Sequence, residues 1–157
     1  MIFRESAPWV RDEIENIVKE KSIDRSRFCE FTKLKYEEIL EKFYFTFCDR
    51  ENYTPSVISF ERGELHFREN LESYCVAGVL QSENWSDYLR KIDHEIPNGE
   101  RLFLILSGWV YEGYADGIFG ILSEAEEWVD CFYIVSPKFD WFIVHDYIGE
   151  CAVLYRK

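Results

Sequence analysis

Apolar residues near the start of the chain recur with a helical spacing. Val10, Ile14, Ile17 and Val18 stand at i, i+4, i+7 and i+8, which places them on one face, with charged residues elsewhere up to about Lys21. Ser6 is a candidate cap, and Pro8 is tolerated in a first turn. A second stripe of Tyr36, Ile39, Leu40 and Phe43 predicts a helix that starts after Thr32. The stretch Phe43-Tyr44-Phe45-Thr46-Phe47 fits both helical spacing and strand alternation, so spacing leaves the end of this helix open. Val57, Ile58 and Phe60, then Glu61-Arg62-Gly63-Glu64, then Leu65-His66-Phe67 suggest a hairpin around a glycine turn. Residues 71–80 fit neither period cleanly. A third helix is expected from a Ser82 cap, with Trp85, Tyr88, Leu89, Ile92 and Ile96 on one face, ended by Pro97-Asn98-Gly99.

The rest of the chain reads mainly as sheet. Leu102 to Leu106 is a continuous apolar run, as in a strand buried on both faces. Trp109 to Tyr114 is the next candidate strand, and Gly117 to Leu122 contains another short apolar run. Ser123-Glu124-Ala125-Glu126 has the form of a capping box, so a short helix carrying Ala125, Trp128, Val129 and Phe132 is expected there. Phe132 to Val135 and Trp141 to His145 follow as strands around a Ser136-Pro137-Lys138 turn, and Cys151 to Tyr155 makes a last strand. Helices come first and consecutive strands come last. That order predicts an α+β fold, with N-terminal helices packed on one face of a mostly antiparallel sheet formed largely by the C-terminal half. With no repeat, low-complexity tract or linker, residues 1–157 are expected to form a single domain.

Composition supports a folded core, since 47% of residues are hydrophobic and 18% aromatic despite 31% charged. The net charge of −12 is unevenly spread. Residues 1–50 carry ten Lys/Arg against eleven Asp/Glu, whereas residues 102–157 carry three against nine. Between Arg101 and Lys138 no basic residue occurs, while Glu112, Asp116, Glu124, Glu126, Glu127 and Asp130 do. Such a field repels nucleic-acid phosphates and anionic lipid and attracts a basic protein. Net charge of this size also serves solubility alone. Met1 to Pro8 has no apolar core and carries Glu5, so no secretory signal is expected, and no run approaches a membrane span.

Cys29, Cys48, Cys75, Cys131 and Cys151 are odd in number and include no CxxC pair, so neither a disulfide framework nor a zinc site is expected. Free cysteines in apolar stretches fit a reducing cytoplasm. No phosphate loop, dinucleotide fingerprint, zinc-protease helix or nucleophile elbow is present. His66, His94 and His145 lack ligand spacing. His145 beside Asp146 is the most suggestive pair, although adjacent strand residues point to opposite faces. Glu126, Glu127 and Asp130 cluster on one helix face, either as a solvated surface or as an acidic recognition patch that imitates nucleic-acid phosphates. Trp9, Trp85 and Trp128 are expected in the core, whereas Trp109 and Trp141 at strand starts are candidates for partial exposure.

The segment Phe132-Tyr133-Ile134-Val135-Ser136-Pro137-Lys138-Phe139-Asp140-Trp141-Phe142-Ile143-Val144 resembles a strand–turn–strand of "YIVSKKFDWL" type in small uncharacterised bacterial proteins. The resemblance extends to the Leu102–Leu106 strand and the 123–129 helix, about a third of the chain. In those proteins an Asn/His-rich segment follows the second strand, whereas here His145-Asp146-Tyr147 follows. Some similar small acidic proteins look like immunity proteins, which the resemblance extends to this chain as an expectation.

Two main function classes stay open. One is a non-enzymatic binding protein, such as an immunity protein or inhibitor of a basic toxin, contacting its partner through Trp109, Asp116, Glu124, Glu126, Glu127 and Asp130. The other is a small enzyme or ligand-binding protein with an aromatic-lined pocket and Asp140, His145 and Asp146 as polar groups. Neither implies a cofactor or metal. A third possibility is an assembly subunit that pairs with a second copy through an exposed edge at Cys151 to Tyr155, so monomer and homodimer both remain open.

Overall fold

Strands that are apolar at every position must be covered on both faces, and this dictates the layering. The structure, a computed structural model, describes residues 2–3, 8–31, 35–48, 57–58, 60, 75–81, 96, 99–129, 131–145 and 151–156. Three helices lie among them: α1 (Pro8–Glu20), α2 (Tyr36–Phe47) and α3 (Ala115–Glu124). The strands are β1 (Ile2–Phe3), β2 (Phe28–Glu30), β3 (Val57–Ile58), β4 (Cys75–Gln81), β5 (Leu102–Leu106), β6 (Trp109–Gly113), β7 (Phe132–Val135), β8 (Trp141–His145) and β9 (Cys151–Arg156). Seven strands form one sheet in the order β2-β6-β5-β7-β8-β9-β4, and β1 pairs separately with β3 in parallel. Every neighbouring pair in the large sheet is antiparallel. The α+β class expected from the sequence holds.

The helices divide between the two sheet faces. Leu102, Leu104 and Leu106 of β5 pack with Val10, Ile14, Ile17 and Val18 of α1 and with Ile118, Ile121 and Leu122 of α3. Ile105 joins Tyr133, Val135, Phe142 and Val144 against Leu40, Phe43, Tyr44 and Phe47 of α2. Phe43 is central to this second core, with Tyr133 at 5.1 Å and Phe142 at 5.5 Å between ring centroids. The Phe43–Phe47 stretch is therefore helical to its end, because Phe43, Tyr44 and Phe47 all bury on one side.

The helices thus cover both faces of the sheet and not one face alone, and three further expectations change. The apolar run Gly117 to Leu122 belongs to helix α3 rather than to the sheet, since Ile118, Ile121, Leu122 and Ala125 recur at i, i+3, i+4 and i+7 and are fully buried. The capping-box sequence at Ser123 closes that helix instead of opening one. Its hydroxyl donates to the Gly120 carbonyl at 3.0 Å, residues 125–128 form a turn, and Phe132 starts β7. The Cys151–Tyr155 segment is no sheet edge, because β9 is flanked by β8 and β4. The helix expected after Ser82 and the hairpin around residues 61–64 lie outside the described residues; Ile96, on the stripe of that helix, is buried.

Turn chemistry fixes the two hairpins. Ser107 and Gly108 join β5 to β6 with φ of 50° and 81°, the left-handed pair that a two-residue hairpin favours. Between β7 and β8 the fully buried Ser136 hydroxyl accepts from the N–H groups of Asp140 (3.1 Å) and Trp141 (3.4 Å) and donates to the Asp140 carboxylate at 2.5 Å. The short edge strand β2 docks on the β6–α3 corner through a close backbone approach. The Arg27 carbonyl accepts from Tyr114 N–H at 2.9 Å, and a Cβ at either Gly113 or Gly117 would overlap that carbonyl.

This junction separates the glycines of the corner. Gly113→Ala and Gly117→Ala should each lower stability by about 1–3 kcal/mol through overpacking. Gly120, with nothing within 4 Å of an added Cβ, should gain about 0.5–1 kcal/mol as alanine in a helix interior. Urea midpoints of the three variants check both signs.

Candidate functional site

Two of the acidic residues singled out in the sequence, Asp116 and Glu124, lie on α3 and face cations that the N-terminal segment supplies, and Glu126 and Glu127 lie in the turn just after it. Arg27, at the end of the α1–β2 loop, pairs with Asp116 in the first turn of α3 at 2.6 Å and lies over the Tyr114 ring at 4.0 Å. Arg101 approaches the same ring at 5.4 Å and pairs with Glu112 at 3.2 Å. Lys21, just beyond α1, pairs with Glu124 at 3.3 Å. Two more pairs brace the region, Arg11 with Glu30 and Arg25 with Glu15, both at 2.9 Å. The Arg27 hydrogen bond holds the Asp116 carboxyl below the usual carboxylate range, and the Arg25 hydrogen bond does the same for Glu15.

Of the five acids expected on a contact surface, Asp116 and Glu124 are thus partly neutralised from within. Glu127 is exposed, and Glu126 is half-buried. Asp130 lies outside the described residues. Beside them two tryptophans, Trp9 and Trp141, depart from expectation. Trp9 is 53% exposed, because one residue before Val10 is about 100° around the helix from the buried stripe. Its ring meets Trp128 edge-on, with centroids 5.4 Å apart and an interplanar angle of 68°. Trp109 is half-buried with Arg11 6.0 Å from its ring, whereas Trp141 is buried in the sheet. Trp9 is the residue that sequence reading missed, and the rotation of the α1 stripe is the signal that locates it.

Of the alternative polar group, the two described members, Asp140 and His145, do not converge. Asp140 belongs to the β7–β8 turn and His145 ends β8, five residues further along an extended strand, roughly 17 Å away. His145 is buried and stacks on Phe132 with centroids 5.4 Å apart, while Asp146 lies outside the described residues. Cys29 lies 3.7 Å from an Arg101 nitrogen and 3.8 Å from Glu112, but burial pushes its thiol pKa up, away from the reactive thiolate. Among the described residues, no three His, Cys, Asp or Glu side chains gather as a metal site, and no helix is long and apolar enough to cross a membrane.

Residues 6–157 match the sequence model of a family of unknown function, DUF6756. No curated protein and no solved structure matches the chain.

The Arg27–Asp116 pair makes a pH prediction. A carboxylate whose folded pKa is lowered adds stability above its unfolded pKa of about 4 and loses it as pH falls through the folded value. Urea midpoints of the wild type should therefore drop below about pH 4, and Asp116→Asn should flatten part of that drop. An unchanged acid limb in the variant would mean that the pair adds nothing to stability.

Proposed function

We propose that this chain, which belongs to the family of unknown function DUF6756, is a non-enzymatic protein that binds a basic protein partner. The observation that carries the reading is the surface where α1 meets the end of α3. There Glu124, Glu126 and Glu127 follow one another in a segment without a cation from 102 to 137, next to the half-exposed Trp9 packed on Trp128. An acidic rim beside an aromatic anchor suits association with a basic surface. The charge speeds encounter and the aromatic ring supplies desolvated contact. The net charge of −12 acts in the same direction at longer range.

In its finer form the reading is an immunity protein. The partner is then a bacterial toxin with a basic active site, such as a nuclease, and the carboxylates occupy the place of substrate phosphates. The hairpin resemblance from Phe132 to Val144 supports this form. Trp109 and Asp116 contribute at the margin, because Trp109 is half-buried and Asp116 is tied to Arg27.

Affinity capture with the tagged chain tests the reading. A basic protein should bind at about 50 mM salt and elute as salt rises towards about 0.5 M. Joint Glu126→Lys and Glu127→Lys reversal should weaken that binding on the order of tenfold at low salt. Retention of full affinity by the double reversal would rule out this surface.

A further inference from the structure

The protein repeats one way of holding arginine at its surface. Arg27 lies over the Tyr114 ring at 4.0 Å while its guanidinium pairs with Asp116 at 2.6 Å. Arg11 lies 6.0 Å from the Trp109 ring centroid while its Nε donates to both oxygens of Glu30, at 3.0 and 2.9 Å. In each case an aromatic face and a carboxylate receive one planar cation. A guanidinium serves both at once, stacking through its plane and hydrogen-bonding through its rim.

Trp9 has the same components without the cation. Asp12 and Glu13 stand three and four residues along α1, within side-chain reach on a helix surface, and both are exposed. The exposed face continues through Asn16 and Glu20, at i+7 and i+11 from Trp9. Glu127, also exposed, adjoins Trp128, against which Trp9 is held edge-on. Among the described residues no arginine or lysine lies over the Trp9 ring.

We infer that Trp9, held against Trp128 and flanked by Asp12, Glu13 and Glu127, seats an arginine side chain of the basic partner. The inference rests on the basic-partner reading and adds the side-chain chemistry that is recognised. It also places the centre of the contact on α1, where sequence charge alone points only to the segment after Arg101.

Octa-arginine and octa-lysine peptides, titrated into the ¹⁵N-labelled full chain at about 50 mM salt, separate stacking from charge. The seat predicts that octa-arginine binds on the order of tenfold more tightly than octa-lysine. It also predicts that the Trp9 indole N–H signal, assigned by its loss in Trp9→Phe, shifts with octa-arginine. Trp9→Ala should bring the two peptides to equal affinity, and Glu13→Gln should weaken octa-arginine more than octa-lysine. Equal affinities in the wild type, with no response at the Trp9 signal, would overturn the seat. The basic-partner reading would survive that result if Glu127→Lys still weakened both peptides. Failure of both peptides to bind would overturn the two together. Should Trp9→Ala fail to fold, the indole shift and Glu13→Gln decide the matter.

Discussion

The organising constraint is that the central strands have no solvent face. All residues of β7 and β8 are buried, including Trp141 and His145 near the limits of β8. A strand in that position needs apolar side chains both up and down, and a helical layer on each side to receive them. α1 and α3 supply one layer and α2 the other. Polar chemistry is thereby expelled from the middle of the sheet to its turns, its edge and the outer helix faces. Ser136 and Asp140 are absorbed by a turn, and His145 by a stack on Phe132. Among the described residues, the outer faces of α1 and α2 and the turn after α3 stay exposed.

Legibility followed sequence distance. The α1 stripe was readable because its four apolar residues repeat locally, and the same four are the buried ones. The apolar run of β5 announced a strand covered on both faces. α3 was hidden because Gly117 and Gly120 weaken its helical signal, and because a short apolar run fits either period. The glycine at 117 is required by a contact with Arg27, ninety positions earlier, which no local pattern encodes. The interior position of β9 likewise depends on β4, far away in the chain. Trp9 turns outward for a smaller reason: one residue's rotation about the helix axis carries it off the buried stripe.

Charge shows the same dependence on distant partners. By sequence the segment after Arg101 is one-signed up to Lys138. In three dimensions Arg27 and Lys21 reach across from the nearly neutral N-terminal part to Asp116 and Glu124. These exposed pairs add little energy each, but they divide the carboxylates into those committed to α3 and those free to meet another molecule. On this surface the described acids left exposed and without a cation partner are therefore fewer than the sequence displays, and they include Glu127 and, on α1, Asp12, Glu13 and Glu20.

The position of β2 at the rim of the sheet also has a kinetic meaning. The β5–β6 and β7–β8 hairpins close over a few residues, and β9 pairs with β8 as the next strand in sequence, so these pairs can assemble from local contacts. β2 must wait for β6, which lies more than eighty positions downstream, and α1 arrives with it. The unit of α1 and β2 is therefore the natural candidate for sub-global opening, with amide protons that exchange before those of β5, β7 and β8. The helix that presents Trp9 would then be the last part of the fold to lock and the first to release, so a partner gripping it would also act as a clamp on the native state.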